Sequence, residues 1–332
     1  MNRFLNILVA IDGDHTPQVV LARAARLAKQ NGASIRLVAV VEDLPWYTRL
    51  VLPTAEELQS LIVRKRVEFL EHLAGRLHQD GVAASSTVLR GHQHVEMIRE
   101  VLDGGYDLLM KEAESNENVL FGSTDMHLLR DCPCPVWLVN PNQGDRPESR
   151  VFAAVDPAPL PDDSDVLHLK ADLTPKDAAL DAKILDLAGS LAGSEGAELH
   201  VIHAWTAPGE ELLMGDANLA QEQVERYVED SRAEAQKALD KLLAATPDRA
   251  GHRIVHLLKG NPADVIAEST KTGRADLIVM GTVARTGLRG LLIGNTAETV
   301  FQRVACSVLA IKPGEFVSPL AQYGKSSSEG SS

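Results

Sequence analysis

The chain has 332 residues, 45% of them hydrophobic, and a formal net charge of −13. That length suggests two domains of about 150 residues each, and the apolar fraction lets each bury a core. The negative charge argues against broad nucleic-acid binding, which needs a basic face. Three cysteines do not form a secreted disulfide framework. No apolar run approaches the roughly 18 residues of a membrane span. Met1-Asn2-Arg3-Phe4 runs directly into a strand pattern with no room for a signal peptide, so a cytoplasmic protein is expected.

In chain order, Ile7 to Ile11 is a continuous apolar run ending at Asp12 and reads as a buried strand. Thr16-Pro17 looks like a helix cap with proline at the first helical position. Val20, Leu21, Ala24, Leu27 and Ala28 follow at helical spacing, and Gly32 closes the element. Ile35 to Val41 is a second strand, and a long helix runs from about Thr54 to Leu77. Thr87 to Leu89, Tyr106 to Met110 and Val136 to Val139 read as further strands, with helices at His94 to Leu102 and Asp125 to Arg130. Strands alternating with helices imply a parallel sheet covered on both faces.

Asn140 to Ser149 has linker composition, and then the pattern restarts. Val151 to Asp156 repeats the first strand and its aspartate, and Thr174-Pro175 repeats Thr16-Pro17 with Asp177 at the capping-box position. Gly91 matches Gly260 and Asp107-Leu108-Leu109 matches Asp276-Leu277-Ile278 at one constant offset. Gly122-Ser123-Thr124 matches Gly294-Asn295-Thr296 and Cys134-Pro135-Val136 matches Cys306-Ser307-Val308 at another, three residues longer. This is an internal duplication.

The richest stretch is Asp276 to Ile311. The apolar run Leu277 to Met280 ends at Gly281, a basic loop follows with Arg285, Gly287 and Arg289, and Gly294-Asn295-Thr296 opens a helix. A strand leading through a glycine loop into a helix start suits phosphate: glycine lets the backbone approach, and free N–H groups point at the anion. A tight structural turn with solvated arginines is the alternative. The spacing Gly281-x2-Ala284-x9-Gly294 resembles the Gly-x2-Gly-x9-Gly-Ser/Thr signature of the universal stress proteins, with Ala284 for the second glycine and Asn295 for Ser or Thr. Gly281 to Gly287 and Gly294 to Glu298 are most similar to the tandem, two-domain E type of that family.

The resemblance implies two tandem flavodoxin-like α/β domains, each a five-stranded parallel sheet flanked by helices. They are expected at 1–140 and 151–316, with a linker at 141–150 and a polar tail at 317–332. It implies ATP, with Mg, as ligand of the second domain through Asp156, Val201, Gly281, Thr282, Ala284, Arg285, Gly294, Asn295 and Thr296. It also implies that the apolar final strands, Val136 to Val139 and Val308 to Ile311, pair the two domains within one chain, and that a regulatory protein partner exists. The function implied is ligand sensing in a stress response. A weak ATP hydrolase, and a carrier of a non-nucleotide or lipid-like small molecule, are the rival readings. No nucleophile–base pair, paired carboxylates or metal cluster stands at the loop.

The first half keeps Asp12 and Gly122-Ser123-Thr124 but has Lys111 to Glu117 in place of the glycine loop. Its glutamates repel a triphosphate, so the first domain is expected to be degenerate for ATP, with Gly122 as a helix cap. Cys132-Pro133-Cys134 reads as buried structural thiols, and His92 and His94 as a helix start.

Overall fold

The computed structural model describes residues 4–13, 16–45, 48, 54–114, 120–157, 175–215, 219–282 and 293–322. The chain divides into two compact units. The first comprises Met1–Pro147, Ser307–Ala310 and Glu315–Ser332; the second comprises Glu148–Cys306 and Ile311–Gly314. The last strand of the second sequence repeat therefore clusters with the first unit.

In the first unit the elements are β1 Asn6–Ala10, α1 Gln18–Asn31, β2 Ser34–Val41, α2 Ala55–Gln79, β3 Ala83–Arg90, α3 Gln93–Gly104, β4 Leu108–Glu112, α4 Ser123–Asp131 and β5 Val136–Val139. The strands lie in the order β3-β2-β1-β4-β5, all parallel. The central strands are continuous apolar runs buried on both faces, as a parallel sheet requires: Ile7, Leu8 and Val9 of β1 and Leu108, Leu109 and Met110 of β4 are fully buried. Each such side chain contributes roughly 1.5–3 kcal/mol of burial. Val136, Trp137 and Leu138 of β5 pair antiparallel with Ala310, Leu309 and Val308.

In the second unit follow β6 Arg150–Ala154, α5 Pro175–Glu195, β7 Glu198–Trp205, α6 Glu210–Met214, α7 Gln221–Ala245, β8 Arg253–Lys259, α8 Pro262–Thr272, β9 Leu277–Gly281 and α9 Asn295–Arg303. The chain then enters β10, Ser307–Ile311. Strands β9-β6-β7-β8 are parallel neighbours in that order. Phe152 of β6 and Phe301 of α9 are among the largest fully buried side chains.

The start of the first helix differs from the expectation. α1 begins at Gln18, with Pro17 as a cap that makes no side-chain hydrogen bond. Its opening amides, from Val19 and Val20, donate to Glu112 Oε1 at 3.2 and 3.3 Å. A carboxylate more than ninety residues downstream replaces the local cap.

α1 and α5 both end at a left-handed glycine, Gly32 and Gly196, with φ +66° and +67°. α1 has 14 residues and α5 has 21. Aligned on those glycines, α5 carries two extra turns at its start. Pro175 opens its helix as expected, while Thr174 lies outside the described residues.

On one face of strands β6, β7 and β8, Phe152 stacks on His200 with centroids 4.4 Å apart, and the ring of His256 lies parallel to His200 and edge to edge with it, centroids 5.2 Å apart. His200 Nδ1 and His256 Nε2 are 3.0 Å apart, sharing one proton. Burial lowers both pKa values below 6.5. The folded form thus binds fewer protons than the unfolded one, so this stability is present above about pH 6.5 and lost as pH falls. We expect His256→Phe, which keeps an aromatic ring beside His200 but takes up no proton, to flatten the loss of stability between about pH 7.5 and pH 5.5. Urea unfolding at both pH values checks this; an unchanged acid-side slope contradicts it.

Candidate functional site

At the carboxyl ends of β6 and β9, in the second unit, lies a cavity of about 180 Å³. Ligands of open α/β sheets bind at this edge. Its walls are Ala154, Val155 and Asp156 after β6; Leu180, Asp181 and Ile184 of α5; Ala204 of β7; Pro262 and Ile266 of α8; Met280 and Gly281 of β9; and Gly294, Thr296 and Ala297 at the start of α9.

Four of the expected residues therefore meet at one cavity: Asp156, Gly281, Gly294 and Thr296. Gly294 caps α9 with extended φ −65° and ψ 142°. Its N–H donates to the Thr282 carbonyl at 2.8 Å, tying the helix start to the end of β9. A Cβ on Gly281 would stand 2.9 Å from Leu180 Cδ2 and 3.7 Å from Ile184 Cδ1, so glycine keeps this wall open. The opening turn of α9 directs backbone N–H groups toward the side where Gly294 and Thr296 line the cavity.

The other expected residues stand elsewhere. Thr282 is fully buried behind the wall, its N–H bonded to the Ile311 carbonyl at 3.2 Å. Its hydroxyl has no hydrogen-bond partner among the described residues. Asn295 is the first residue of α9, exposed and beside the lining. Val201 is fully buried in the middle of β7, between Ala153 and Val255, and does not line the cavity; Ala204, three residues on and on the opposite face, does. Ala284 and Arg285 lie outside the described residues.

Sequence reasoning missed Asp181. Its residue is 6% exposed, it lines the cavity, and its Oδ1 accepts the Asp156 N–H at 3.1 Å. His203 was missed as well. It is buried, with Nδ1 3.2 Å from the Val155 carbonyl and 3.9 Å from Asp156 Oδ1.

The equivalent place in the first unit is filled. Lys111 Nζ, on a side chain 1% exposed, lies 2.7 Å from Asp12 Oδ2, 2.9 Å from Asp125 Oδ1 and 3.2 Å from Glu114 Oε1. Asp125 is fully buried, and its Oδ2 accepts the N–H of Glu114 at 2.7 Å and of Gly122 at 3.1 Å. The cap residue of α4 and the loop after β4 are thus tied together by the chain's own carboxylate. By the repeat offsets, Lys111, Glu112 and Asp125 stand where the second unit has Met280, Gly281 and Ala297. Burial alone would lower the pKa of Lys111, but Asp125 and Asp12 outweigh it and hold the ammonium charged. Burial pushes the carboxyl of Asp125 up, while Lys111 and the backbone N–H groups pull it back. Of the glutamates expected to repel phosphate, Glu112 caps α1 and Glu114 pairs with Lys111, while Glu117 lies outside the described residues.

Elsewhere, His94 stacks on His127 with centroids 4.2 Å apart. Cys132 and Cys134 are buried thiols with sulfurs 3.6 Å apart. Among the described residues, no helix is long and apolar enough to cross a membrane.

The model of the Universal stress protein family matches residues 3–140 and 177–312. Universal stress protein E of Escherichia coli is 28% identical over 327 residues, covering 96% of this chain and 98% of its own length. The universal stress protein E homolog of Haemophilus influenzae is 26% identical over 324 residues, covering 94% and 99%. A solved structure of a functionally unknown protein from Pseudomonas aeruginosa superposes with a TM-score of 0.69 at 25% identity, covering 97% of each chain. A universal stress protein from Archaeoglobus fulgidus shares the fold, with a TM-score of 0.59 at 18% identity over 92% of this chain and 98% of its own. With two family matches in tandem and end-to-end likeness to universal stress protein E, the chain belongs to the universal stress protein family, in its tandem E-type form.

Proposed function

We propose that this stress-response protein senses an adenine nucleotide, ATP with Mg, at one site per chain in the second unit. The observation that carries the reading is the contrast between the two units. Asp156, Gly281, Gly294 and Thr296 border an open cavity, while Asp12, Lys111, Glu114 and Asp125 close the corresponding place with ion pairs. The adenosine end of the ligand lies toward Asp156. The phosphates lie toward Gly281, Gly294 and the amides of α9, where a backbone without side chains and a helix start favour negative charge. The reading is of a sensor rather than a catalyst.

Calorimetric titration with ATP and Mg is expected to show one site per chain. Two equivalent sites contradict the reading, and an absence of binding sinks the nucleotide assignment. Ala284→Gly is expected to tighten ATP binding several-fold. Alanine costs about 1 kcal/mol where the backbone is left-handed, and about 1.4 kcal/mol is a factor of ten in affinity. Unchanged affinity in the same titration shows that Ala284 sits in an ordinary conformation away from the phosphates.

A further inference from the structure

We propose that Asp181 and His203 are positioning residues that fix Asp156 at the rim of the cavity. The proposal rests on the nucleotide reading for its ligand and on local geometry for the frame itself. In the first unit the matching aspartate, Asp12, is held by the Lys111 ammonium at 2.7 Å. Met280 stands at the position of Lys111 in the second unit and supplies no charge. The side chain of Asp156 is 64% exposed, and an exposed carboxylate loses rotamer freedom on binding unless something orients it beforehand.

Two groups adjoin Asp156, one at its backbone and one at its carboxylate. Asp181 Oδ1 accepts the Asp156 backbone N–H at 3.1 Å and fixes where the strand end turns. His203, 6% exposed at its side chain, directs Nδ1 to the Val155 carbonyl and lies 3.9 Å from the Asp156 carboxylate. Among the described residues of the first unit, neither has a counterpart. Asp181 sits in the extra opening turns of α5 that α1 lacks, and the position of His203 in β7 is occupied by Ala39 in β2. The frame is thus confined to the unit whose cavity is open.

The test compares Asp181→Ala, which removes the acceptor, with Asp181→Asn, which keeps an acceptor oxygen but loses the charge. In calorimetry with ATP and Mg, Asp181→Ala is expected to bind about tenfold more weakly and Asp181→Asn close to the parent. In an Asp156→Ala background, Asp181→Ala is expected to add little, because a positioning residue acts through the group it positions. Equal losses in both backgrounds, or an Asn variant as weak as the Ala variant, overturn the proposal. A ligand-free readout separates it from the nucleotide reading. Hydrogen exchange of the Asp156 amide is expected to speed up about tenfold in Asp181→Ala and to stay slow in Asp181→Asn. If the parent binds no ATP, the nucleotide reading falls and amide exchange decides the frame; unchanged exchange overturns it. Should Asp181→Ala not fold, His203→Leu against His203→Asn, which keeps a donor for the Val155 carbonyl, makes the same comparison.

Discussion

Lys111→Met is expected to destabilise the first unit by about 3–5 kcal/mol, the cost of removing one partner from a buried charge cluster. The substitution removes the charge and keeps an unbranched side chain only one atom shorter. It leaves Asp125, fully buried, and Glu114 and Asp12 at its edge without their shared cation. Differential scanning calorimetry is the measurement, with the transition of the first unit expected to fall by several degrees. The pH dependence supplies a second signature. Without the ammonium, the carboxyl of Asp125 keeps the upward push of burial and loses its main counterweight. A carboxyl whose folded pKa is raised stabilises the fold at acid pH, and that stability is lost as pH rises through the folded value. The variant is therefore expected to be least damaged near pH 4 to 5, in roughly the carboxylate range, and most damaged at neutral pH. Asp125→Asn added to Lys111→Met is expected to recover part of the loss. An unchanged midpoint at neutral pH shows that the cluster contributes nothing.

Gly281→Val is expected to weaken ATP binding by about a hundredfold or more, equivalent to roughly 2.8 kcal/mol. The added Cβ meets the end of Leu180 at 2.9 Å, and Leu180 itself lines the cavity, so any relief moves Leu180 into the ligand's space. The two further methyl groups of valine enlarge the obstruction. Gly122→Val is the control. Its Cβ would stand 2.0 Å from Glu114 Oε2 and 2.8 Å from Glu114 Cβ, inside the ion cluster. That variant is expected to lose stability while keeping ATP affinity. Equal affinity losses at both positions show that the two units do not differ as described.

The strands, the duplication and the glycine-lined wall are legible in the sequence because they rest on local signals. Runs such as Ile7 to Ile11 and Leu277 to Met280 announce buried parallel strands. Gly281 and Gly294 mark the turn between strand and helix. Which face of a strand meets the cavity is less legible. A strand buried on both sides has no polar–apolar alternation, so Val201 and Ala204 look alike although they point to opposite faces. Asp181 is hidden for another reason. It lies in the extra turns of α5, which have no partner in the repeat to compare with. The role of Glu112 depends on the opening of α1, more than ninety residues away in sequence, and charge counting reads it as repulsion instead. Lys111 carries a sequence signal in retrospect: a lysine inside an apolar strand needs buried acids around it, and Asp12 and Asp125 supply them.

Photolabelling with 8-azido-ATP, followed by peptide mapping, tests the central assignment most directly. The expected result is competition by ATP and label confined to second-unit peptides that line the cavity on the side of Asp156, around Val155–Asp156 and Ala204, rather than at the phosphate side around Gly281 and Gly294. Label of equal intensity on first-unit peptides around Asp12, Lys111 and Gly122 would contradict it.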